Sequence, residues 1–322
     1  MFGSPPSQLP QPIAFLVVPQ FPMMAFASAV EPLRSANRMS GRALYSWPIL
    51  TPDGAPVTAS NGITIMPDGA LPNAARAAML VACAGIGGHA YRDATVFGWL
   101  RRLDRGGLLL GGLSLGSYLL ARAGLLAGYR CTVHWENLAA FAEEFPDLRV
   151  TNELFEIDRN RFTCSGGIAA LDLMLNLIAR QHGAELAKAV SEQFIHERIR
   201  GRHDAQRMAL PARLGIRHPK LLAVIRKMEE SVEEPISRSK LAAGVSLSSR
   251  QLERLFRRYL ERTPTRYYLE LRLARARLLL LQTELSVLEV ALACGFVSAS
   301  HFSKCYRDVY GKTPRDERLA GD

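Results

Sequence analysis

No stretch of this 322-residue chain runs to 18 consecutive apolar residues, so no segment reads as a membrane span. The opening MFGSPPSQLPQP lacks a basic n-region and an apolar h-region; it reads as a Pro-rich, disordered tail over residues 1–11 rather than a secretory signal. Cysteine is scarce. The five present (Cys83, Cys131, Cys164, Cys294, Cys305) are odd in number, form no C-x-x-C pair and show no metal-ligand spacing. That argues against a disulfide frame or a zinc site and fits reduced thiols in a cytoplasm, with no metal and no cofactor expected. Acidic excess is lacking too, since 40 Lys and Arg face 30 Asp and Glu for a net charge of +10. Nearly all of the excess is local: residues 205–322 carry 22 bases against 13 acids, and residues 1–204 carry 18 against 17. A polyanion would dock on the C-terminal third.

What the chain does hold is apolar sequence, 48% of its residues, over a length that predicts two domains. It also holds one short pattern written twice. Leu252-Glu253-Arg254-Leu255-Phe256-Arg257-Arg258-Tyr259-Leu260 leads to Thr263-Pro264, and Phe302-Ser303-Lys304-Cys305-Tyr306-Arg307-Asp308-Val309-Tyr310 leads to Thr313-Pro314. A short apolar helix and a tight turn precede each copy, over residues 236–248 and 287–298, with Ser248 and Ser298 placed as N-caps. Short helix, turn and base-bearing second helix describe a helix-turn-helix whose second helix fits the major groove. Residues 266–282 predict a connecting helix of roughly 26 Å at about 1.5 Å per residue. A single arginine-rich helix is usually a solvated face, but two copies in register are hard to obtain by accident.

Residues 218–318 resemble the DNA-binding domain of AraC/XylS-type transcription regulators. The resemblance rests on Leu241-Ala242, on Ser248, Arg250, Leu252, Arg254 and Phe256 at alternate positions, on Ala291-Leu292-Ala293-Cys294-Gly295-Phe296, on Ser300-His301-Phe302-Ser303-Lys304 and on Gly311-Lys312-Thr313-Pro314. It implies contacts to double-stranded promoter DNA from Arg250, Glu253, Arg254, Arg257 and Arg258 in the first unit and from Ser300, Ser303, Lys304 and Arg307 in the second. Arginine suits guanine O6 and N7, Glu253 suits a cytosine amine, and Arg257 and Arg258 suit phosphate. Lys304 lacks the guanidinium fork, which predicts looser reading of the second half-site. An ion pair of Glu253 with Arg257 on a solvent face is the competing reading.

Upstream, buried-strand runs at residues 13–18 and 77–83, with a shorter strand candidate at 45–50, alternate with helical stretches at 23–39, 91–105 and 168–180, the order of a doubly wound α/β domain. Pro32 is expected to open the first of these helices beside Glu31. Leu108-Leu109-Leu110, then Gly112-Leu113-Ser114-Leu115-Gly116, then a helix, is the layout of a nucleophile elbow, and His134-Trp135-Glu136 follows about twenty residues on. A hydrolase reading with Ser114 as nucleophile and His134 as base follows from this spacing. Against it, no acid stands between them in the order that α/β-hydrolases use.

Residues 12–195 are similar to the class I glutamine-amidotransferase-like fold of the PfpI branch. The residues that carry this are Glu31-Pro32-Leu33, Ser114-Leu115-Gly116, Ala123-Gly124-Leu125-Leu126, His134-Trp135 and Cys164-Ser165-Gly166-Gly167. Catalytic relatives carry cysteine at the elbow, where this chain has Ser114. The resemblance implies a flavodoxin-like, non-catalytic effector-sensing domain. Its expected pocket holds Phe21, Glu31, Ser114, His134, Trp135 and Glu136, suited to an amino acid or a cationic amine such as arginine, betaine or carnitine. Residues 196–217 then read as a linker. The pairing of domains implies a cytoplasmic homodimer that activates a catabolic operon with RNA polymerase. A PfpI-like hydrolase or lyase tethered to DNA, and an architectural DNA binder without effector, are the alternatives.

Overall fold

The computed structural model describes residues 2–319. The chain forms two compact units that meet in sequence between Gln206 and Arg207. The first holds β1 (Gln11–Val17), α1 (Met23–Ser40), β2 (Tyr45–Ser46), β3 (Ile49–Thr51), the hairpin β4 (Val57–Thr58) and β5 (Thr64–Ile65), β6 (Gly69–Ala70), β7 (Met79–Ala84), α2 (Ala94–Arg105), β8 (Leu109–Ser114), α3 (Gly116–Arg122), β9 (Arg130–Cys131), α4 (Leu138–Glu144), β10 (Arg149–Val150), β11 (Phe155–Asp158), β12 (Arg161–Cys164), α5 (Ala169–His182) and α6 (Ala184–Gln193). Its eight-stranded sheet runs β11-β12-β8-β7-β1-β3-β6, with β2 also on β1, and every pairing is parallel except β11 with β12.

Strand periodicity explains why both faces are covered. Ile13, Phe15 and Val17 of β1 join Met79, Val81 and Cys83 of β7 in one core, beneath α1, α5 and α6. The intervening Ala14 and Leu16 join Leu80, Ala82 and Ala84 in the other, beneath α2 and α3. Side chains two apart share a face, so a run apolar at every position is buried on both. At β8 the glycines are steric requirements: a Cβ on Gly111 would lie 2.0 Å from the Phe162 ring, and one on Gly116 would lie 2.0 Å from the Ala82 carbonyl oxygen. The Phe162 ring therefore takes the place of a side chain on β8, and the start of α3 abuts the backbone of β7.

Four expectations need correction. The described part of the tail is packed rather than free: Phe2 is buried, its ring 4.9 Å from that of Phe162, and Gln181 Nε2 donates to Ser4 O at 2.8 Å. The strand expected over residues 45–50 is split at Pro48, which has no N–H for a ladder, into β2 and β3. Pro32 does not open α1, which continues through it because Phe26, Ala29, Leu33 and Ala36 pack on both sides of the gap. Residues 196–217 are not a free linker. Arg200 donates from its backbone N–H and its Nε to the fully buried Asp172 at 2.7 and 2.8 Å, which ties 196–206 to the first unit. Leu210 and Ile216 belong to the core of the second. All five cysteines are unbridged, and burial raises the thiol pKa of Cys131 and Cys164 to about 12 and that of Cys83 still further.

The second unit is all helical: α7 (Leu210–Leu214), α8 (Pro219–Glu230), α9 (Arg238–Ala243), α10 (Ser249–Leu260), α11 (Pro264–Gln282), α12 (Val287–Ala293), α13 (Ala299–Tyr310) and α14 (Pro314–Leu319). Helices α9–α10 and α12–α13 are the two helix-turn-helix pairs, joined by the 19-residue α11. Among the described residues no helix is long and apolar enough to cross a membrane.

Candidate nucleic-acid interface and effector cleft

Helix α10 begins with a reciprocal cap: Ser248 Oγ accepts from the Gln251 N–H and Gln251 Oε1 accepts from the Ser248 N–H. Leu252 and Phe256, four apart, are buried against α8 and α9, and this pins the opposite side outward. Arg250, Arg254, Arg257 and Arg258 are exposed there, and the first three line an open concavity with Ser248, Gln251 and Glu253. Among the described residues Arg250 and Arg254 have no hydrogen-bond or ion-pair partner, and both guanidinium groups face solvent. Glu253 is engaged twice, by Arg238 of α9 at 3.3 Å and by Arg257 at 3.6 Å. The intrahelical ion pair that competed with base reading is therefore present. Arg258 lies over the Tyr259 ring at 5.4 Å.

In α13, Ser298 caps the His301 N–H, Phe302 and Tyr306 face inward, and Ser300, Lys304 and Arg307 are exposed with Ser303 half-buried. His301 Nε2 is 3.4 Å from Cys305 Sγ, and its ring packs beside Phe296.

Connecting helix α11 holds both pairs from one side. The Tyr268 hydroxyl donates to Ser231 O and accepts from the Ile236 N–H at the start of the first pair. One turn later Arg272 donates to Cys294 O at 2.7 Å and Gly295 O at 2.8 Å, with its guanidinium 4.0 Å from the centre of the Phe296 ring. Gly295 has φ +73°, and a Cβ there would lie 2.6 Å from Pro235 and 2.7 Å from Glu233 O. The turn of the second pair is thus docked on the segment leading into the first. Beyond it, buried Glu317 of α14 accepts from Tyr306 Oη at 3.0 Å and pairs with Lys312 and Arg277. Burial would raise its carboxyl pKa, but those hydrogen bonds and charges outweigh it and hold the group below the usual range.

The first unit carries a smaller cleft of about 200 Å³, lined by His134, Trp135, Leu154, the loop Ser165–Gly166–Gly167–Ile168, Arg200 and Gln206. Ser114 ends β8 at φ +55°, the strained elbow expected of it, and sits against this loop: a Cβ on Gly166 would lie 2.7 Å from that of Ser114. His134 Nδ1 accepts from the Glu136 N–H at 3.4 Å, which leaves Nε2 as the donor. Burial lowers the imidazole pKa, partly offset by the nearby Glu136 carboxylate, so the ring is neutral at pH 7. Of the six residues expected in the pocket, His134 and Trp135 line it, Ser114 backs it and Glu136 stands exposed at His134. Two are elsewhere. Phe21 is fully buried, edge-on to Phe26, and Glu31 is paired on the surface with Arg34 at 2.6 Å. Arg200 and Gln206 were hidden in the basic stretch read as a linker. The signal that could have found Arg200 is Asp172, a carboxylate inside an apolar helix that needs a cation.

A family profile described as a helix-turn-helix domain matches residues 241–320. The chain is 52% identical over 317 residues to the HTH-type transcriptional regulator GbdR of Pseudomonas aeruginosa, covering 98% of this chain and 86% of that one. The chain belongs to the AraC-type transcriptional regulators. The crystal structure of an AraC family transcriptional regulator from Pseudomonas putida matches 57% of this regulator and 99% of that chain at 28% identity and a TM-score of 0.51. That of a ThiJ/PfpI family protein from Pseudomonas syringae matches 58% of it and 76% of that chain, at 26% and 0.50. The regulator therefore couples a flavodoxin-type, PfpI-like unit to an AraC-type DNA-binding unit, and its partner is double-stranded DNA. It is a transcriptional regulator rather than an enzyme, which sets aside the hydrolase reading of Ser114 and His134.

Proposed function

We propose that this AraC-type regulator is switched by a small amino-acid or methylated-amine effector held in the cleft of the first unit. The carrying observation is the juxtaposition of Trp135 with the start of α5. An indole face attracts an ammonium group, and the amides of Gly167 and Ile168 open a 14-residue helix whose dipole favours a carboxylate. A ligand bearing both charges on a short skeleton satisfies both ends, and a neutral His134 adds a donor without repelling the cation. On the DNA side, Arg250 and Arg254 read base edges, Arg257 and Arg258 meet phosphate, and Glu253 orders Arg238 and Arg257 beside them. Ser300, Ser303, Lys304 and Arg307 supply the second, weaker half-site. The protein acts in the cytoplasm as a homodimer, activating a catabolic operon through contact with RNA polymerase.

A thermal-shift series on the full chain with L-arginine, glycine betaine and carnitine tests the effector reading. A native-state binder raises the melting temperature, and Trp135→Ala should abolish the rise. No rise with any of the three, or one indifferent to Trp135→Ala, overturns it.

A further inference from the structure

The cleft has three walls, and they are not equally fixed. The segment before His134 is buried at Thr132 and Val133, and the loop before α5 is buried at Cys164, Ser165 and Ala169. The third wall is the strap of residues 196–206, whose Gly201, His203 and Ala205 are exposed. It is fastened at intervals: His196 to Asp172 at 2.9 Å, the Leu154 N–H to Arg202 O at 2.9 Å, His203 to Glu153 at 3.0 Å, and a bridge of Glu153 with Ala205. Its last residue, Gln206, ends in a clasp. Nε2 donates to Thr132 Oγ1, Val133 O and Glu153 O at 3.0, 3.1 and 2.9 Å. Two of these partners are carbonyls, so the group facing them must be the amide NH₂. The paired Oε1 is buried and has no donor among the described residues, so the amide is only half satisfied. The next residue, Arg207, begins the DNA-binding unit.

We propose that the strap is the wall of the cleft that moves with occupancy, and that Gln206 is the residue through which occupancy reaches the DNA-binding unit. This rests on the reading of the cleft as the effector site. A ligand against Trp135 and Ile168 changes the space available to Arg200 and Gln206, both of which line the cleft. Arg200 is anchored by a fully buried carboxylate, whereas Gln206 is held by neutral hydrogen bonds. The strap therefore yields at its C-terminal end, and the displacement falls on the peptide bond that leads into the second unit.

The test fills the cleft without a ligand. Ile168→Trp and, independently, Ala169→Leu add side-chain volume to its lining in the full chain. Each is measured with and without Gln206→Ala, on a duplex selected by the wild-type chain from a random-sequence pool. Couplings between sites typically span 5- to 150-fold, so filling should change the DNA dissociation constant by about five-fold or more. In the Gln206→Ala background the change should shrink to within about two-fold, the range of independent sites. The proposal is overturned if neither filling substitution alters DNA affinity, or if the alteration persists undiminished without Gln206. Glycine betaine titrated into the wild-type chain separates the two ideas. If neither it nor L-arginine nor carnitine binds or alters DNA affinity while filling does, the amine reading fails and the strap coupling holds.

Discussion

Replacing Arg272 by methionine removes two hydrogen bonds while keeping an apolar stem beside Phe296. A hydrogen bond from a charged donor contributes about 1.5–3 kcal/mol. The side chain is half-buried, so water recovers part of each loss, and we take about 2 kcal/mol for the clamp as a whole. That is about thirty-fold in the equilibrium between a docked and an undocked turn, at tenfold per 1.4 kcal/mol. The loss should fall on the second helix-turn-helix alone, because the first is held separately by Tyr268. Affinity for a selected duplex should drop by up to about thirty-fold, while affinity for the same duplex with its second half-site scrambled stays at the wild-type value. Arg266→Met, which breaks an exposed pair with Glu270, is the control and should cost no more than about 0.5 kcal/mol. Equal losses on both duplexes, or none on either, would refute the assignment of Arg272 to the turn.

Arg254→Ala should relax base preference at one position and cost about 1–3 kcal/mol. Arg258→Ala should weaken binding to all sequences alike and flatten the salt dependence by about one counterion, as read from affinities between 50 and 200 mM salt. Glu317 is depressed in the folded state, so its stabilising effect is complete above the ordinary glutamate value of about 4.3 and fades as pH falls through the folded value. Thermal melts should thus show the second helix-turn-helix losing stability below that range, and Glu317→Gln should blunt the acid dependence. Gly166→Ala, at φ +90° and against Ser114, should lower the melting temperature of the first unit; a neutral result would mean that the loop relaxes freely.

The helix-turn-helix pairs were legible because each level of the signal agrees: the serine caps, the buried pairs Leu252–Phe256 and Phe302–Tyr306, and the bases between them recur at one spacing. The strands were legible as uninterrupted apolar runs. What escaped the sequence was contact at a distance. Phe2 is apolar in a proline-rich segment, and only the ring of Phe162 gives it a place. Tyr268 and Arg272 lie on a helix whose own periodicity says nothing about Ser231 or Gly295. Glu317 sits among charged residues and looks solvated until Tyr306 and Arg277 are seen around it. Phe21 illustrates the reverse error, since an aromatic residue after a strand fits a cleft wall and a core equally well by pattern.

The hydroxyl at the elbow alters what the first unit can respond to. A thiol at that turn would be a target for peroxide, whereas serine has no comparable oxidation ladder. The three thiols elsewhere in the same unit, Cys83, Cys131 and Cys164, are buried, and burial raises the pKa of each. A PfpI-like elbow is thereby left without a redox-active atom at its turn.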